Sequence, residues 1–424
     1  MSSGSSGSSG LIAAVIIGPV ARVLLLLPSA TYRAPDFLDA ARALDVEVVV
    51  ASEQRQTLAG AMGDRALHLE LSDPGAAAEA IVALARRAPL DAVVAVDDQG
   101  VLVAAEASAR LGLPANAPAA VAATRDKTLM RRALAEAGVP QPAYRVVGPE
   151  DDVVAAASEL GFPCVVKPVS LSGSRGVIRV DDPAAAGAAA TRVRHILDDA
   201  DEDAAGPLLV ERFVAGDEVA LEGLLRGGRL DVLTVFDKPD PLDGPYFEET
   251  IYVTPSRKPA AALDTIAART ADAIVALGLR EGPIHAELRV SGDEVFVLEV
   301  AARSIGGLCS RALRFGAGVR LEELILRHAL GLPLDGVQRE AVAAGVMMLP
   351  IPRAGVLAGV HGQDRARAVP GIAGLEITIH AGRPVQPLPE GDRYLGFLFA
   401  RGATPAEVEQ SLRAAHACLD VVID

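Results

Sequence analysis

The sequence predicts an α/β protein in which a parallel, doubly wound sheet is followed by a larger region of mixed strands and helices. Three observations support this fold class. The chain has 424 residues, too many for one ordinary hydrophobic core. Near its beginning, short apolar segments alternate with helical segments, the pattern of a parallel sheet covered by helices. Further along, two apolar strands flank a turn at Ser291-Gly292-Asp293, which predicts a β-hairpin.

The amino terminus contributes little to the predicted fold. Residues 1–10, MSSGSSGSSG, have the composition of an expression linker. The apolar stretch 11–27 is interrupted by Pro19 and Arg22 and is shorter than a typical membrane span. We therefore interpret it as a leader followed by a buried strand, and we expect no membrane partner.

The net charge and the cysteine content indicate which binding partners and which cellular compartment to expect. The formal net charge is −15 and no run rich in lysine and arginine occurs, which argues against binding of nucleic acid or of an anionic membrane. Cys164, Cys309 and Cys418 are odd in number and lack the spacing of a metal site. We expect reduced thiols in a cytoplasmic protein.

Residues 11–116 form the predicted N-terminal domain. Strands and helices alternate along it as βαβα, which predicts a parallel, doubly wound sheet. The segment Asp97-Asp98-Gln99-Gly100 follows the third strand, at the carboxyl end where such sheets bind ligands. No GxGxxG follows the first strand, so a dinucleotide site is not expected. The predicted strands are 22–27, 46–51 and 92–96, and the predicted helices are 36–44, 74–87 and 101–111.

Residues 117–331 and 332–424 form the two remaining predicted domains, the second being a small mixed lobe. The first of them opens with a helix from Thr124-Arg125-Asp126-Lys127 to Gly138, with Pro140 just beyond. Its other predicted helices are 149–160, 183–197, 259–277 and 321–330, and its predicted strands are 144–147, 164–167, 177–180, 208–213, 219–225, 230–236 and 248–253. In the last lobe the predicted strands are 344–349, 372–379 and 394–400, followed by a helix at 404–417.

Two carboxylates interrupt the apolar strands of the hairpin. Glu287 lies on its first strand and Glu299 on its second. A carboxylate in such a run is costly to bury unless a cation compensates its charge. Two of them on paired strands suit Mg²⁺, which takes one or two carboxylates together with substrate phosphates. Arg303 follows four residues after Glu299, within reach of an anion held there. The alternative is a solvated face that carries charged residues.

A glycine- and serine-rich loop, Leu171-Ser172-Gly173-Ser174-Arg175-Gly176, joins two predicted strands, with Lys167 at the end of the first. Backbone N–H groups, serine hydroxyls and a lysine can all donate to a phosphate. The P-loop signature is absent, and an ordinary flexible hairpin is the alternative. Downstream, backbone groups near Val214 can pair with an adenine edge and Glu218 with ribose hydroxyls. Solvated charges are the alternative for Glu211 and Glu218.

Several motifs occur in the order found in the ATP-grasp ligases, and the chain resembles that superfamily from about residue 118 to residue 330. They are TRDK with Lys127, VVKP with Lys167, SLSGSRG, ERFVAGDE, FDKP with Lys238, and the pair HAEL and LEVAAR. The resemblance implies an ATP-grasp fold in which two α+β subdomains of residues 117–331 grip ATP. An N-terminal parallel lobe and a small mixed C-terminal lobe are usual in that superfamily.

The resemblance also implies a role for each matching residue. Arg303 would stabilise the transferred phosphoryl group, and Lys167 and His285 are the other candidate catalytic residues. Two Mg²⁺ ions are expected, with Mn²⁺ able to replace them. Ala301 stands where many members carry an asparagine metal ligand, which leaves open how the second ion is held. The implied ATP contacts are Lys127, Lys167, Ser172, Gly173, Ser174, Gly176, Glu211, Phe213, Val214, Glu218 and Lys238, and the implied metal ligands are Glu287 and Glu299.

The segments FDKP, YFEE and GPIHAE resemble the L-amino-acid ligase branch, which joins two amino acids into a dipeptide. The implied reaction phosphorylates a carboxylate with ATP, and an amine then displaces phosphate from the acyl phosphate. A structural histidine and a helix-surface arginine are the alternatives for His285 and Arg311. The residues implied to lie near the substrates are Glu248, Glu249, His285, Arg303, Gly306, Gly307 and Arg311.

Other functions are compatible with the same motifs. Within the superfamily, a biotin carboxylase-like or purine-pathway-like ligase is the nearest alternative. A phosphotransferase that uses the same ATP site, or a nucleotide-binding protein without turnover, would belong to a different class. We expect a small-molecule carboxylate and amine, most simply amino acids. The sequence leaves the oligomeric state open, although homodimers are common on general grounds. The identity and order of the substrates are left open by the sequence.

Overall fold

The computed structural model describes residues 20–29, 31–54, 62–316, 318–334 and 338–424. The predictions for residues 1–19, which include the linker and most of the leader, lie outside the described residues. Within the described ranges, none of the helices combines the length and the apolar character needed to span a bilayer.

The N-terminal region contains a four-stranded sheet whose paired strands all run parallel, as predicted. The strand order is β3-β2-β1-β4, and helices pack against the sheet. The shortest strand was not predicted, because three residues are too few to show a periodic pattern. The elements are β1 (Arg22–Leu26), α1 (Ala34–Ala43), β2 (Glu47–Ser52), β3 (Ala66–His68), α2 (Pro74–Arg87), β4 (Ala92–Ala95) and α3 (Val101–Leu111).

Two short helices follow where one was predicted from residue 124 onward. Asp126 separates them, because its side chain accepts hydrogen bonds from the backbone of Thr128 and Leu129 and so caps the second helix. An antiparallel sheet with the order β5-β8-β6-β7 comes next. These elements are α4 (Pro118–Arg125), α5 (Lys127–Glu136), β5 (Tyr144–Val147), α6 (Val153–Leu160), β6 (Cys164–Pro168), β7 (Ile178–Val180), α7 (Pro183–Asp199) and β8 (Leu208–Arg212).

The largest sheet has eight strands in the order β13-β12-β9-β10-β11-β14-β18-β16. Pairing of β11 with β14 carries it across residues 331 and 332, where a domain boundary was expected. The four domain ranges stay a prediction. The elements in this part of the chain are β9 (Asp217–Arg226), β10 (Arg229–Asp237), β11 (Ile251–Thr254), α8 (Ala260–Leu277), β12 (Gly282–Ser291), β13 (Glu294–Ala301), α9 (Leu321–Ala329) and β14 (Ala343–Leu349).

The carboxyl-terminal part adds two strands to this sheet and forms a small sheet of its own, with the order β17-β15-β19. The small sheet and its short helix were not predicted, since glycine and proline break their patterns. The predicted strand at 248–253 begins only at Ile251, so Glu248 and Glu249 lie in a loop. The remaining elements are β15 (Gly355–His361), α10 (Gln363–Arg367), β16 (Ile372–Ile377), β17 (Pro384–Val385), β18 (Gly396–Gly402), α11 (Pro405–His416) and β19 (Asp420–Ile423).

A buried ion pair ties the N-terminal sheet to the rest of the molecule. The side chains of Arg33 and Glu322 are 1% and 2% exposed, and Arg33 Nη2 lies 3.1 Å from Glu322 Oε1. The same nitrogen donates to Ser304 Oγ at 2.9 Å, and Nη1 donates to the carbonyl of Val96 at 3.0 Å. One guanidinium therefore joins the end of β4, helix α9 and the segment after β13.

We predict that Arg33→Met lowers the free energy of unfolding by about 3–5 kcal/mol, because Glu322 is left as an unpaired buried charge. Urea unfolding midpoints at neutral pH measure the effect. Arg320→Met is the matched control, since Arg320 is 41% exposed and pairs with Asp39 at the surface, so its loss costs at most about 1 kcal/mol. Equal midpoints for the two variants would contradict the prediction.

Candidate active site

A cleft of about 370 Å³ opens where the loop after β4, the loop between β6 and β7, and the ends of β12 and β13 meet. Most of the side chains singled out in the sequence line it. Four of the predicted site residues do not: Gly176, Lys238, Glu248 and Arg311. The predicted residues that line it are Lys127, Lys167, Ser172, Gly173, Ser174, Glu211, Phe213, Val214, Glu218, Glu249, His285, Glu287, Glu299, Arg303, Gly306 and Gly307.

The predicted hairpin is confirmed, and it places the two metal-ligand candidates side by side. Glu287 of β12 lies directly opposite Glu299 of β13, next to a bulge in the register. Their side chains are 24% and 28% exposed. Like charges opposite each other in a sheet repel, and each has a lysine beside it. Lys238 Nζ lies 3.3 Å from Glu287 Oε1, and Lys127 Nζ lies 3.7 Å from Glu299 Oε2.

Lys238 lies beneath the cleft and neutralises a cluster of carboxylates. Its buried ammonium donates to Glu218 Oε1 at 2.7 Å and to Glu249, and lies 5.0 Å above the ring of Tyr252. Burial opposes ionisation of Glu287, but Lys238 and then His285 outweigh it and hold the pKa of Glu287 well below its usual range. In this structure Lys238 therefore contacts carboxylates and not the open cleft.

The donor set at the hairpin suits Mg²⁺. The carboxylates of Glu287 and Glu299 face the cleft and supply the hard oxygen atoms that this ion prefers. Oxygen atoms of Glu218, Glu249 and Glu287 also lie within 4.8 Å of one another, although Lys238 already compensates that group. Glu287 and Glu299 thus fit the ion that the sequence predicts.

Glu211 is held by two cations in the wall of the cleft. Arg131 Nε lies 2.6 Å from Oε1, and Lys167 Nζ lies 2.7 Å from Oε2. Burial alone would raise the pKa of Glu211. The adjacent Arg131 and Lys167 together outweigh burial and lower this pKa to about 2. Both carboxylate oxygens of Glu211 are therefore held by cations.

Two arginines of the site, Arg131 and Arg289, were not predicted from the sequence. Arg131 also donates to the carbonyl of Leu298 at 2.6 Å. Arg289 Nε donates to Glu218 Oε2 at 3.0 Å, and its guanidinium lies 5.4 Å from the Phe213 ring centroid. Nothing in the helical pattern distinguishes the buried Arg131 from its exposed neighbour Arg132.

His285 is a fully engaged histidine at the edge of the metal-ligand pair. Its Nδ1 bonds to Glu222, and its Nε2 lies 3.3 Å from Glu287 Oε1. Burial lowers the pKa of His285, but Glu222 raises it more, to about 9. The other oxygen of Glu222 accepts from the backbone of Ile305 at 3.0 Å. Both ring nitrogens of His285 therefore contact carboxylates, and the histidine lies in position to orient Glu287.

The glycine-rich loop is anchored to the carboxyl-terminal part of the chain. Gly176 N donates to the carbonyl of Pro389 at 2.9 Å, and Arg175 Nε donates to the carbonyl of Glu390 at 3.0 Å. Arg192 of α7 binds both carboxylate oxygens of Glu390, at 2.5 and 3.0 Å. Gly173 and Ser174 have φ of +64° and +58°, a turn conformation that exposes backbone N–H groups. The loop is therefore held over the cleft in this structure.

Two predicted substrate residues lie away from the cleft lining. Arg311 donates to Asp36 at 2.8 Å and to Glu376. Glu248 lies in the loop before β11, outside the cleft lining, and burial raises the pKa of its carboxyl group. Asp97, Asp98 and Gln99, from the loop predicted to bind ligands, do line the cleft.

Three family models match parts of this chain. They are an ATP-grasp domain at residues 160–312, an ATP-grasp N-terminal domain at residues 38–115, and an L-amino acid ligase C-terminal domain 2 at residues 347–424.

Individual proteins resemble the chain to different extents. A formate-dependent phosphoribosylglycinamide formyltransferase of Burkholderia cenocepacia (strain HI2424) is 30% identical over 413 residues, 93% of this chain and 94% of that protein. The alanine–anticapsin ligase of Bacillus subtilis (strain 168) is 28% identical over 265 residues, 58% of this chain. The match spans only 56% of that ligase. An L-amino acid ligase structure from Bacillus licheniformis has a TM-score of 0.79 at 23% identity and covers 95% of this chain and 99% of that one, a likeness of fold.

We predict that Glu211 makes the stability of the protein depend on pH in the acidic range. A carboxyl group whose pKa is about 2 when folded and 4.5 otherwise stabilises the fold above pH 4.5. That contribution is lost as the pH falls toward 2, and about 2 kcal/mol of it should be gone at pH 3.

Urea unfolding of the wild type and of Glu211→Gln between pH 6 and pH 3 measures this loss. The wild type should lose about 2 kcal/mol more than the variant over that interval. Parallel pH profiles would show that Glu211 does not carry a depressed pKa.

Proposed function

The chain belongs to the ATP-grasp superfamily, and from that premise we propose that it is an ATP- and Mg²⁺-dependent carboxylate–amine ligase that joins two amino acids. The observation that carries the proposal is the pairing of Glu287 with Glu299 on adjacent strands, each beside a lysine, with Arg303 lining the same cleft. Carboxylates, ammonium groups and a guanidinium in one cleft suit the transfer of a phosphoryl group.

The nucleotide would lie between the glycine-rich loop and β8. Lys127 and Lys167 supply charge for the phosphates, and Ser172, Gly173 and Ser174 supply hydroxyl and backbone donors. The adenine would pair with backbone groups near Val214, beside the aromatic ring of Phe213. Glu218 is the candidate for the ribose hydroxyls, with Lys238 and Arg289 fixing its orientation.

Glu287 and Glu299 would hold Mg²⁺, which when bound offsets the charge of the ATP phosphates. His285 and Lys238 keep Glu287 ionised and oriented for that purpose. Lys127 Nζ lies 3.7 Å from Glu299 Oε2 and would orient that carboxylate. The number of ions, and the ability of Mn²⁺ to replace Mg²⁺, are part of the proposal.

The chemistry would proceed in two steps. An oxygen of the substrate carboxylate attacks the γ-phosphorus of ATP, ADP leaves, and an acyl phosphate forms. The amine nitrogen then attacks the acyl carbon, and inorganic phosphate leaves with the electrons of the broken C–O bond. Arg303 would stabilise the negative charge in both steps. The loop held by Pro389 and Glu390 would exclude the water that hydrolyses an acyl phosphate.

Amino acids are the proposed substrates because the carboxyl-terminal residues 347–424 match an L-amino acid ligase domain. The likeness to alanine–anticapsin ligase supports the same substrate class. Within the cleft, Glu249, Gly306 and Gly307 are the candidate substrate contacts. Glu248 and Arg311 do not line the cleft and would act at a distance from the substrates. A homodimer and a cytoplasmic location stay predictions.

A second candidate is a ligase for a small carboxylic acid other than an amino acid. The observation that favours it is the match along 94% of a formate-dependent phosphoribosylglycinamide formyltransferase. The same cleft residues would serve that reaction, since only the substrate end differs.

The proposal is tested by measuring phosphate release from ATP and Mg²⁺ across all pairs of L-amino acids, with mass spectrometry of each active mixture. We expect release that requires two amino acids and a product lighter than their sum by one water. Release that requires formate and an amine instead would favour the second candidate. With ATP still bound, silence in every amino acid mixture would contradict the first candidate. Silence in mixtures of formate and amines as well would contradict the second.

We predict that Glu299→Ala reduces amine-dependent phosphate release at least 100-fold, because one of the two proposed metal-ligand carboxylates is lost. Titration of the ADP complex with Mn²⁺, followed by electron paramagnetic resonance, should show weakened metal binding. Glu294→Ala is the matched control, since Glu294 is an exposed glutamate on the same strand. Metal binding by Glu299→Ala equal to that of Glu294→Ala would exclude Glu299 as a ligand.

A further inference from the structure

Arg303 receives its main side-chain contact from a different part of the molecule. Its Nη2 donates to Asp98 Oδ2 at 2.7 Å, and Asp98 lies 205 residues earlier in the chain, just after β4. We propose that Asp98 is a positioning residue that orients Arg303 toward the phosphoryl group. This inference rests on the proposed function, in which Arg303 stabilises that group.

The contacts of Arg303 fix the plane of its guanidinium. Nη2 is bound to Asp98, and Nη1 donates to the carbonyl of Ser304 at 3.0 Å. A guanidinium is planar, so contacts at both terminal nitrogens determine its orientation. The remaining N–H groups are left for a ligand, and Arg303 lines the cleft. Without Asp98, only the bond to the adjacent backbone would restrain it.

Asp98 itself is held in a rigid position. The strand before it is fixed by the bond from Val96 N to the carbonyl of Leu26 at 3.2 Å. Gly100 follows two residues later, and a Cβ added there would lie 3.0 Å from Leu26 Cβ. The turn therefore packs directly on the sheet, and α3 begins immediately after it. The orientation of Arg303 is thus set by the N-terminal sheet.

The charges around Asp98 keep it ionised without cancelling Arg303. Arg125 Nη1 lies 3.5 Å from Asp98 Oδ1, so two guanidinium groups share one carboxylate. Burial raises the pKa of Asp98, but Arg303 and then Arg125 lower it to about 2. Because two guanidinium groups share one carboxylate, Asp98 does not cancel the charge of both.

The kinetic test compares Asp98→Ala and Asp98→Asn with the wild type in amine-dependent phosphate release. We expect Asp98→Ala to lower kcat about 10–100-fold, because the arginine is misplaced. The KM for ATP should be unchanged. Asp98→Asn keeps an acceptor oxygen, so its kcat should fall less than that of Asp98→Ala. In an Arg303→Lys background, Asp98→Ala should add less than about a threefold loss, since little orientation remains to be lost. An unchanged kcat, or the same loss in both backgrounds, would overturn the proposal.

A second measurement follows Arg303 without turnover. In protein labelled with ¹⁵N-arginine, Arg303 is assigned with the Arg303→Lys variant. Its Nη protons should give separate, slowly exchanging signals in the wild type and an averaged signal in Asp98→Ala. Identical signals would overturn the proposal.

Glu79→Gln is the charge-matched control, because Glu79 pairs only loosely with Arg110 at the surface. Glu79→Gln should change neither the kcat for phosphate release nor the Nη signals of Arg303. If no substrate pair supports phosphate release by the wild type, the proposed function fails, and the arginine signals alone decide the role of Asp98.

Discussion

The site depends on cations that neutralise the carboxylates lying within or beside an apolar sheet. Glu287 and Glu299, both partly buried, face each other across β12 and β13, and unpaired like charges there would repel. Lys238 and Lys127 prevent this, one beside each carboxylate. The same rule explains Glu211, held between Arg131 and Lys167. The cations that stabilise the fold are thus already positioned around the place where phosphates would bind.

Because these pairs link distant segments, the cleft is organised by the whole molecule. Asp98 of the N-terminal region holds Arg303, and the buried Arg33–Glu322 pair fixes the two regions against each other nearby. On the opposite side, Gly176 and Arg175 of the glycine-rich loop donate to the carbonyls of Pro389 and Glu390 in the carboxyl-terminal part. A displacement of any of these segments would move a charged group at the cleft. Water exclusion and charge placement therefore depend on the same contacts.

The sequence predicted the features that depend on local patterns. The helix Pro74–Arg87 was predicted with its observed bounds, and Asp73 caps its first turn. A strand was predicted near Tyr144–Val147, where the structure has one. The hairpin and its two glutamates were predicted from the turn and the apolar runs. Pairings over long separations were not predicted. Arg131 meets Glu211 across 80 residues and Arg289 meets Glu218 across 71, and no periodicity encodes such contacts. The contacts of Lys238 were not predicted either, because a short motif does not reveal which groups its side chain faces.

The proposed role of this network is the transfer of a phosphoryl group from ATP to a carboxylate, after which an amine displaces phosphate. Isotope transfer tests it most directly. With ¹⁸O in the carboxylate of the substrate and unlabelled ATP and water, the acyl phosphate route carries one ¹⁸O into the released inorganic phosphate. We therefore predict one ¹⁸O in each phosphate formed in the presence of the amine. Phosphate without label would show that water or another acceptor takes the phosphoryl group, and would contradict the account.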